Sequence, residues 1–276
     1  MNMSLPSRIA LSFFLFLGAY FLYCTWKIDE NYAIYIIPCV IGVVVTFILS
    51  PQIDWWMYVR NTPELSEEFR KRLYTNSTIY EALPAYKKAL YRKRIYLFMI
   101  GNDFSGMGGF EEEIPEDIKF CVSAQATLLT LNLDKFLFPK YEKVIVYQHR
   151  FPSPQYSEHF HASEIYEEDG CLLFDAELIL RSTIEPVRLF NPVLYEYYKV
   201  YKQTYPLKHY PIVYEADIEK GIEISGFKLS DIEATIGLPY LEHDAILATY
   251  YFVFGERFKK INPTLFNAFD HLFGIY

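Results

Sequence analysis

Few residues in this chain are both chemically capable and closely spaced. His159-Phe160-His161 is the only tight pair among the six histidines. In an extended loop, side chains at i and i+2 project to the same side, so the two imidazoles could share a metal ion, with Glu158 adding an oxygen. Ser153, Ser157 and Ser163 surround the pair and favour a polar surface loop. His149, His209, His243 and His271 stand apart from one another. Gly106-Met107-Gly108-Gly109 lacks the Lys-Ser/Thr that a phosphate loop needs, and it reads as a turn-rich loop over residues 101–110. There is no Gly-x-Ser-x-Gly elbow. The four cysteines, Cys24, Cys39, Cys121 and Cys171, lie in apolar runs with no Cys-x-x-Cys spacing, which argues for free thiols in a reducing compartment. A net charge of −8 excludes nucleic acid as a partner, because phosphates require a basic face. The basic residues that are present cluster at Arg70-Lys71-Arg72, Lys87-Lys88 and Arg92-Lys93-Arg94; they suit a solvated helix face or the head groups of anionic lipid.

The elements that must position these residues begin with two apolar runs, residues 9–26 and 32–49, each long enough to cross a bilayer. A short polar connector, residues 27–31, makes them an antiparallel hairpin. Aromatic residues mark the expected interfaces, among them Trp26, Trp55 and Trp56. Arg8 precedes the first run, and Arg60 and Arg70 to Arg72 follow the second, so both termini are expected on the cytoplasmic side of a multi-pass membrane protein. No small-x-small cleavage site follows the first run, which argues against a removed leader. Pro38 is tolerable in a membrane helix and would kink it.

Residues 61–276 then form one domain. Thr62-Pro63-Glu64 resembles a cap followed by proline at the first helical position, and residues 84–99 continue as a helix basic on one face. Residues 115–131 carry apolar positions at helical spacing. Residues 143–147 and 171–174 are short buried strands. Asn191-Pro192 and Asn262-Pro263 each open a helix by the same cap-then-proline rule, and residues 243–254 make an apolar helix between them. The fold class is α+β, mainly helical, with a small sheet, preceded by a transmembrane hairpin over residues 1–60.

Four stretches in order are similar to one family, the Mlc titration factor A-like zinc-dependent peptidases. IPEDIKFCVSAQATLLTLNL (residues 114–133) resembles that family's helix with an Ala-Gln-Ala centre. FPKYEKVIVYQHRFPSP (residues 138–154) resembles its strand and turn. FNPVLYEYYK (residues 190–199) stands where the family carries His-Glu-x-x-His, and residues 242–273 resemble its closing helices. The resemblance covers residues 62–276 and implies a zincin-like domain. In the family, two imidazoles one helical turn apart bind zinc, a glutamate after the first activates water, and a later glutamate completes the ligands. By this resemblance the first histidine position is Tyr195, the general base is Glu196, the second histidine position is Lys199 and the later ligand is Glu242. The family's oxyanion-stabilising tyrosine is replaced by Thr235.

Two of the three ligand positions are thus altered, and an ammonium has no lone pair for a metal. The resemblance implies a peptidase-like domain that has lost its zinc and with it its catalytic residues, and that binds a protein or peptide partner at a lipid bilayer. Lys199 is expected to bridge Glu196 or Glu242. An active metallopeptidase rebuilt from Glu196, Glu242 and a histidine between 149 and 161 is one alternative. A structural module assembled through the hairpin is the other.

Overall fold

The computed structural model describes residues 5–110, 113–238 and 240–276. The chain divides into two compact units, Met1–Pro63 and Glu64–Tyr276.

The first unit is a helical hairpin. Helix α1 spans Leu5–Lys27, a 3-10 turn follows over Glu30–Tyr35, and helix α2 spans Ile36–Arg60. Asp29 begins the turn by accepting the Asn31 N–H at 2.8 Å. Both helices are long and apolar enough to cross a membrane, and 6% and 17% of their apolar windows are buried, so these surfaces do not form the core of a globular unit. Small residues bring the helices together. A Cβ at Gly42 would lie 2.5 Å from the Phe14 ring, and one at Gly18 would touch Cys39. Ser7 donates to the buried Asp54 and closes the open end. Pro38 sits in the first turn of α2, where its missing N–H costs no intrahelical bond and is tolerated as expected; Pro51 is the interior proline.

The second unit is α+β and mainly helical, as expected. Helices α3 (Glu67–Asn76), α4 (Thr78–Ala82) and α5 (Ala85–Gly101) lead into strand β1 (Asp103–Met107) and helix α6 (Glu116–Leu129). Strands β2 (Lys143–Tyr147), β3 (Ser163–Tyr166) and β4 (Cys171–Asp175) follow, then helices α7 (Ala176–Ile184) and α8 (Pro192–Thr204). Helices α9 (Glu215–Ser225), α10 (Leu229–Ile236), α11 (His243–Val253), α12 (Gly255–Ile261) and α13 (Pro263–Phe273) complete the unit. The sheet order is β1-β2-β4-β3, with β3 an edge strand antiparallel to β4 and the other pairs parallel.

Several local expectations are corrected. Ser66, not Thr62, caps α3, accepting the Phe69 N–H at 3.3 Å. The loop expected over residues 101–110 contains β1, which pairs in parallel register with β2. Gly106 is required there: a Cβ would lie 2.0 Å from the Phe110 carbonyl oxygen. The basic cluster is not one solvated face, because Arg94 is buried and donates to the Thr130 and Leu131 carbonyls beyond the end of α6, at 2.7 and 2.9 Å. All four cysteines are free and buried. The main core of the second unit draws on residues from Leu65 to Phe273.

Candidate functional site

Helix α8 supplies the centre of the site. Asn191 caps it by accepting the Val193 and Leu194 N–H groups at 3.0 Å each, and Pro192 occupies its first turn. Residues 192–198 are buried without a break, so the helix passes through the core rather than over it. Glu196 is therefore a carboxylate with no exposure at all. Its burial is tolerable because both oxygens are served: Ser163 Oγ donates to Oε1 at 2.8 Å, and Lys199 Nζ donates to Oε2 at 2.8 Å.

Of the two partners expected for it, Glu196 or Glu242, Lys199 bridges Glu196. Its ammonium also lies 5.1 Å from the centre of the Tyr195 ring. Burial alone would pull its pKa down, but the Glu196 charge outweighs this and holds it above the ordinary lysine range. Burial and the same Glu196 charge push the Tyr195 phenol upward. Tyr195 Oη accepts the backbone N–H of Glu242 at 3.0 Å, which ties the start of α11 to α8. The Glu242 side chain turns to Lys202, which reaches it at 3.1 Å and Asp244 at 2.7 Å. Tyr198 Oη donates to the same Asp244 oxygen at 3.3 Å.

A cavity of about 610 Å³ opens here, lined by Tyr156, Glu164, Tyr166, Lys199, Gln203 and Glu242 among others. The edge strand β3 forms one wall. Gly237, at φ +85 degrees, ends α10 tightly against the Phe160–His161 backbone, where a Cβ would lie 2.5 Å from the Phe160 oxygen. This lets the Ala162 N–H donate to the Ile236 carbonyl at 2.7 Å and fixes the entry to β3.

The histidine pair does not form a shared site. His159 is exposed, whereas His161 is fully buried with both ring nitrogens engaged, Nδ1 with the His159 carbonyl at 2.8 Å and Nε2 with Glu164 Oε2 at 2.9 Å. The polar surface loop expected around the pair is corrected at Ser153, His161 and Ser163, all buried. Glu158 is exposed, and His149 lies 3.7 Å from Glu177 on α7. His243 is exposed, and Thr235 donates to the Asp231 carbonyl within its own helix at 2.7 Å. Sequence reasoning missed Ser163, the His161–Glu164 pair and Lys202. Lys202 carried a usable signal, since it stands one turn beyond Lys199 on the same helix.

The residues at the positions where the sequence resemblance expects zinc ligands do not suit a zinc ion. Lys199 keeps its proton and has no lone pair to give, Glu196 is saturated by a serine and an ammonium, and the Tyr195 oxygen is engaged by a backbone N–H. Among the described residues, no group of three or more His, Cys, Asp or Glu side chains is placed to hold a metal.

No curated protein matches the chain. The family model described as glucose-regulated metallo-peptidase M90 matches residues 53–171. The match takes in the two quoted stretches at 114–133 and 138–154 and ends before Tyr195, Lys199 and Glu242. The resemblance read from the sequence is thus borne out over the first part of the domain: residues 53–171 carry the signature of the glucose-regulated metallo-peptidase M90 family.

Proposed function

We propose that this chain is a peptidase-like domain that binds an extended segment of a protein partner without cleaving it, held at a membrane by its N-terminal hairpin. One observation carries the reading: Lys199 Nζ lies 2.8 Å from a fully buried Glu196, at the positions where the family resemblance calls for a metal-bound histidine and a general base. A glutamate whose two oxygens are held by an ammonium and a serine hydroxyl is poorly placed to take a proton from water. The cleft beside it keeps the features of a binding site. It has the volume for several side chains, and strand β3 forms one wall of it, with Tyr166 half-buried at the end of that strand.

Membrane attachment draws support from two outward-facing apolar helices, and a cytoplasmic domain from Arg8, Arg60 and Arg70 to Arg72 at their ends. The deciding experiment is metal analysis of the purified full chain beside a peptide-hydrolysis assay. The expected result is well under one zinc per chain and no cleavage above background. Stoichiometric zinc that disappears in Glu242→Ala, together with cleavage, would overturn the proposal in favour of a rebuilt metallopeptidase. Trypsin should digest the domain in inside-out vesicles and spare it in sealed right-side-out ones.

A further inference from the structure

Glu164 has a side chain that is only 2% exposed, and its two oxygens are treated unequally. Oε2 meets His161 Nε2 at 2.9 Å. Oε1 is buried and has no hydrogen-bond partner. His161 cannot serve it as well, because Nδ1 faces the His159 carbonyl, an acceptor, at 2.8 Å. The Nε2 contact engages Oε2 alone, so this pair gives Oε1 no donor. Lys199, the ammonium lining the same cavity, is committed to Glu196 at 2.8 Å. A buried carboxylate oxygen left without a donor costs stability, so its persistence in a cavity wall points to a donor supplied from outside.

The surroundings specify the charge of that donor. Glu167 and Glu168 line the same cavity and are exposed. Glu167 accepts the Gln203 amide at 2.7 Å and Glu168 accepts the Tyr166 hydroxyl at 3.2 Å, and among the described residues neither has a cation in ion-pair range. Glu242 is offset by Lys202 at 3.1 Å. The cavity therefore carries an excess of negative charge on its outer side and an unserved acceptor at its buried wall. Tyr156, Ile165 and Leu238 supply apolar and aromatic surface between them. This combination fits a long side chain with an apolar stem and a cationic end, which an anionic or neutral one would not satisfy.

Resting on the reading of this cleft as a binding site, we infer that it selects a segment bearing a lysine or arginine, whose charged end donates to Glu164 Oε1. The test is calorimetric titration of the full chain in detergent micelles with two blocked peptides: acetyl-Ser-Val-Thr-Lys-Val-Thr-Ser-amide, and the same peptide with Nε-acetyl-lysine at the centre. The lysine peptide is expected to bind at least about tenfold more tightly. Glu164→Gln should reduce that ratio to about threefold or less, while leaving the acetylated peptide's affinity nearly unchanged. Because Glu164→Gln also touches His161, Glu168→Gln provides a rim variant with no buried partner, expected to weaken the lysine peptide alone by about two- to threefold. Equal affinity for the two peptides, or tighter binding of the acetylated one, overturns the inference and leaves the binding site standing. Failure of both peptides to bind overturns the inference and the binding role together.

Discussion

Glu196 depends on two partners that come from different parts of the chain, Ser163 from the edge of the sheet and Lys199 from one turn further along α8. Removing the ammonium leaves a buried charge with one hydrogen bond, and Lys199→Met is expected to cost about 3 kcal/mol in urea denaturation. Adding Glu196→Gln removes the stranded charge, so the double variant should recover most of that loss. A silent Lys199→Met would show that the pair contributes nothing. The pH dependence follows from the direction of the lysine shift. Folded Lys199 holds its proton more tightly than the unfolded chain does, so its contribution is complete below the unfolded value of 10.5 and is lost as the pH rises through the higher folded one. Buried tyrosines act with the same sign: burial pushes the Tyr250 phenol up to about 12, from 10.0. Urea midpoints should stay level from neutral pH to about pH 10 and fall above it, less steeply in the double variant than in the parent.

Elements with chemical punctuation were the ones legible in the sequence. Asn191-Pro192 and Asn262-Pro263 announced α8 and α13, and both asparagines accept backbone N–H groups as capping requires. The β-branched run at residues 143–147 announced β2. Strand β1 gave no such signal, because Gly106 and Asp103 have low strand propensity and only pairing with β2 holds them extended. Strand β3 hid for a different reason. Ser163 read as part of a polar surface loop, yet it is buried against Glu196, and Glu164 beside it is buried against His161. The site was legible to the same degree: the residue positions on α8 followed from family resemblance, whereas their partners on β3 required the fold. The cap of α8 carries a prediction at this scale. Asn191→Ala leaves two buried N–H groups unserved and is expected to lower stability by about 1 to 2 kcal/mol, with no change in zinc content. A larger loss, with the Lys199→Met effect abolished in the same background, would mean that the cap also sets the position of the Glu196–Lys199 pair.

At the scale of the whole molecule, the two units obey different solvent rules. The hairpin exposes Phe13, Phe16, Phe47 and Trp56 and buries little beyond the small residues between its helices. The domain buries its apolar side chains in a core of its own that runs from Leu65 to Phe273. A core that is complete without the first unit should fold without it. Residues 64–276 produced alone are therefore expected to remain monodisperse without detergent and to melt cooperatively, with helical circular dichroism. On temperature-induced phase separation in Triton X-114, the full chain should enter the detergent phase and the isolated domain the aqueous phase, since helices with this much exposed apolar surface are stable only where lipid or detergent covers them. Aggregation of the isolated domain would show that it needs the hairpin to fold. Recovery of the full chain in the aqueous phase would show that the hairpin pairs with protein rather than lipid, as an assembly module would.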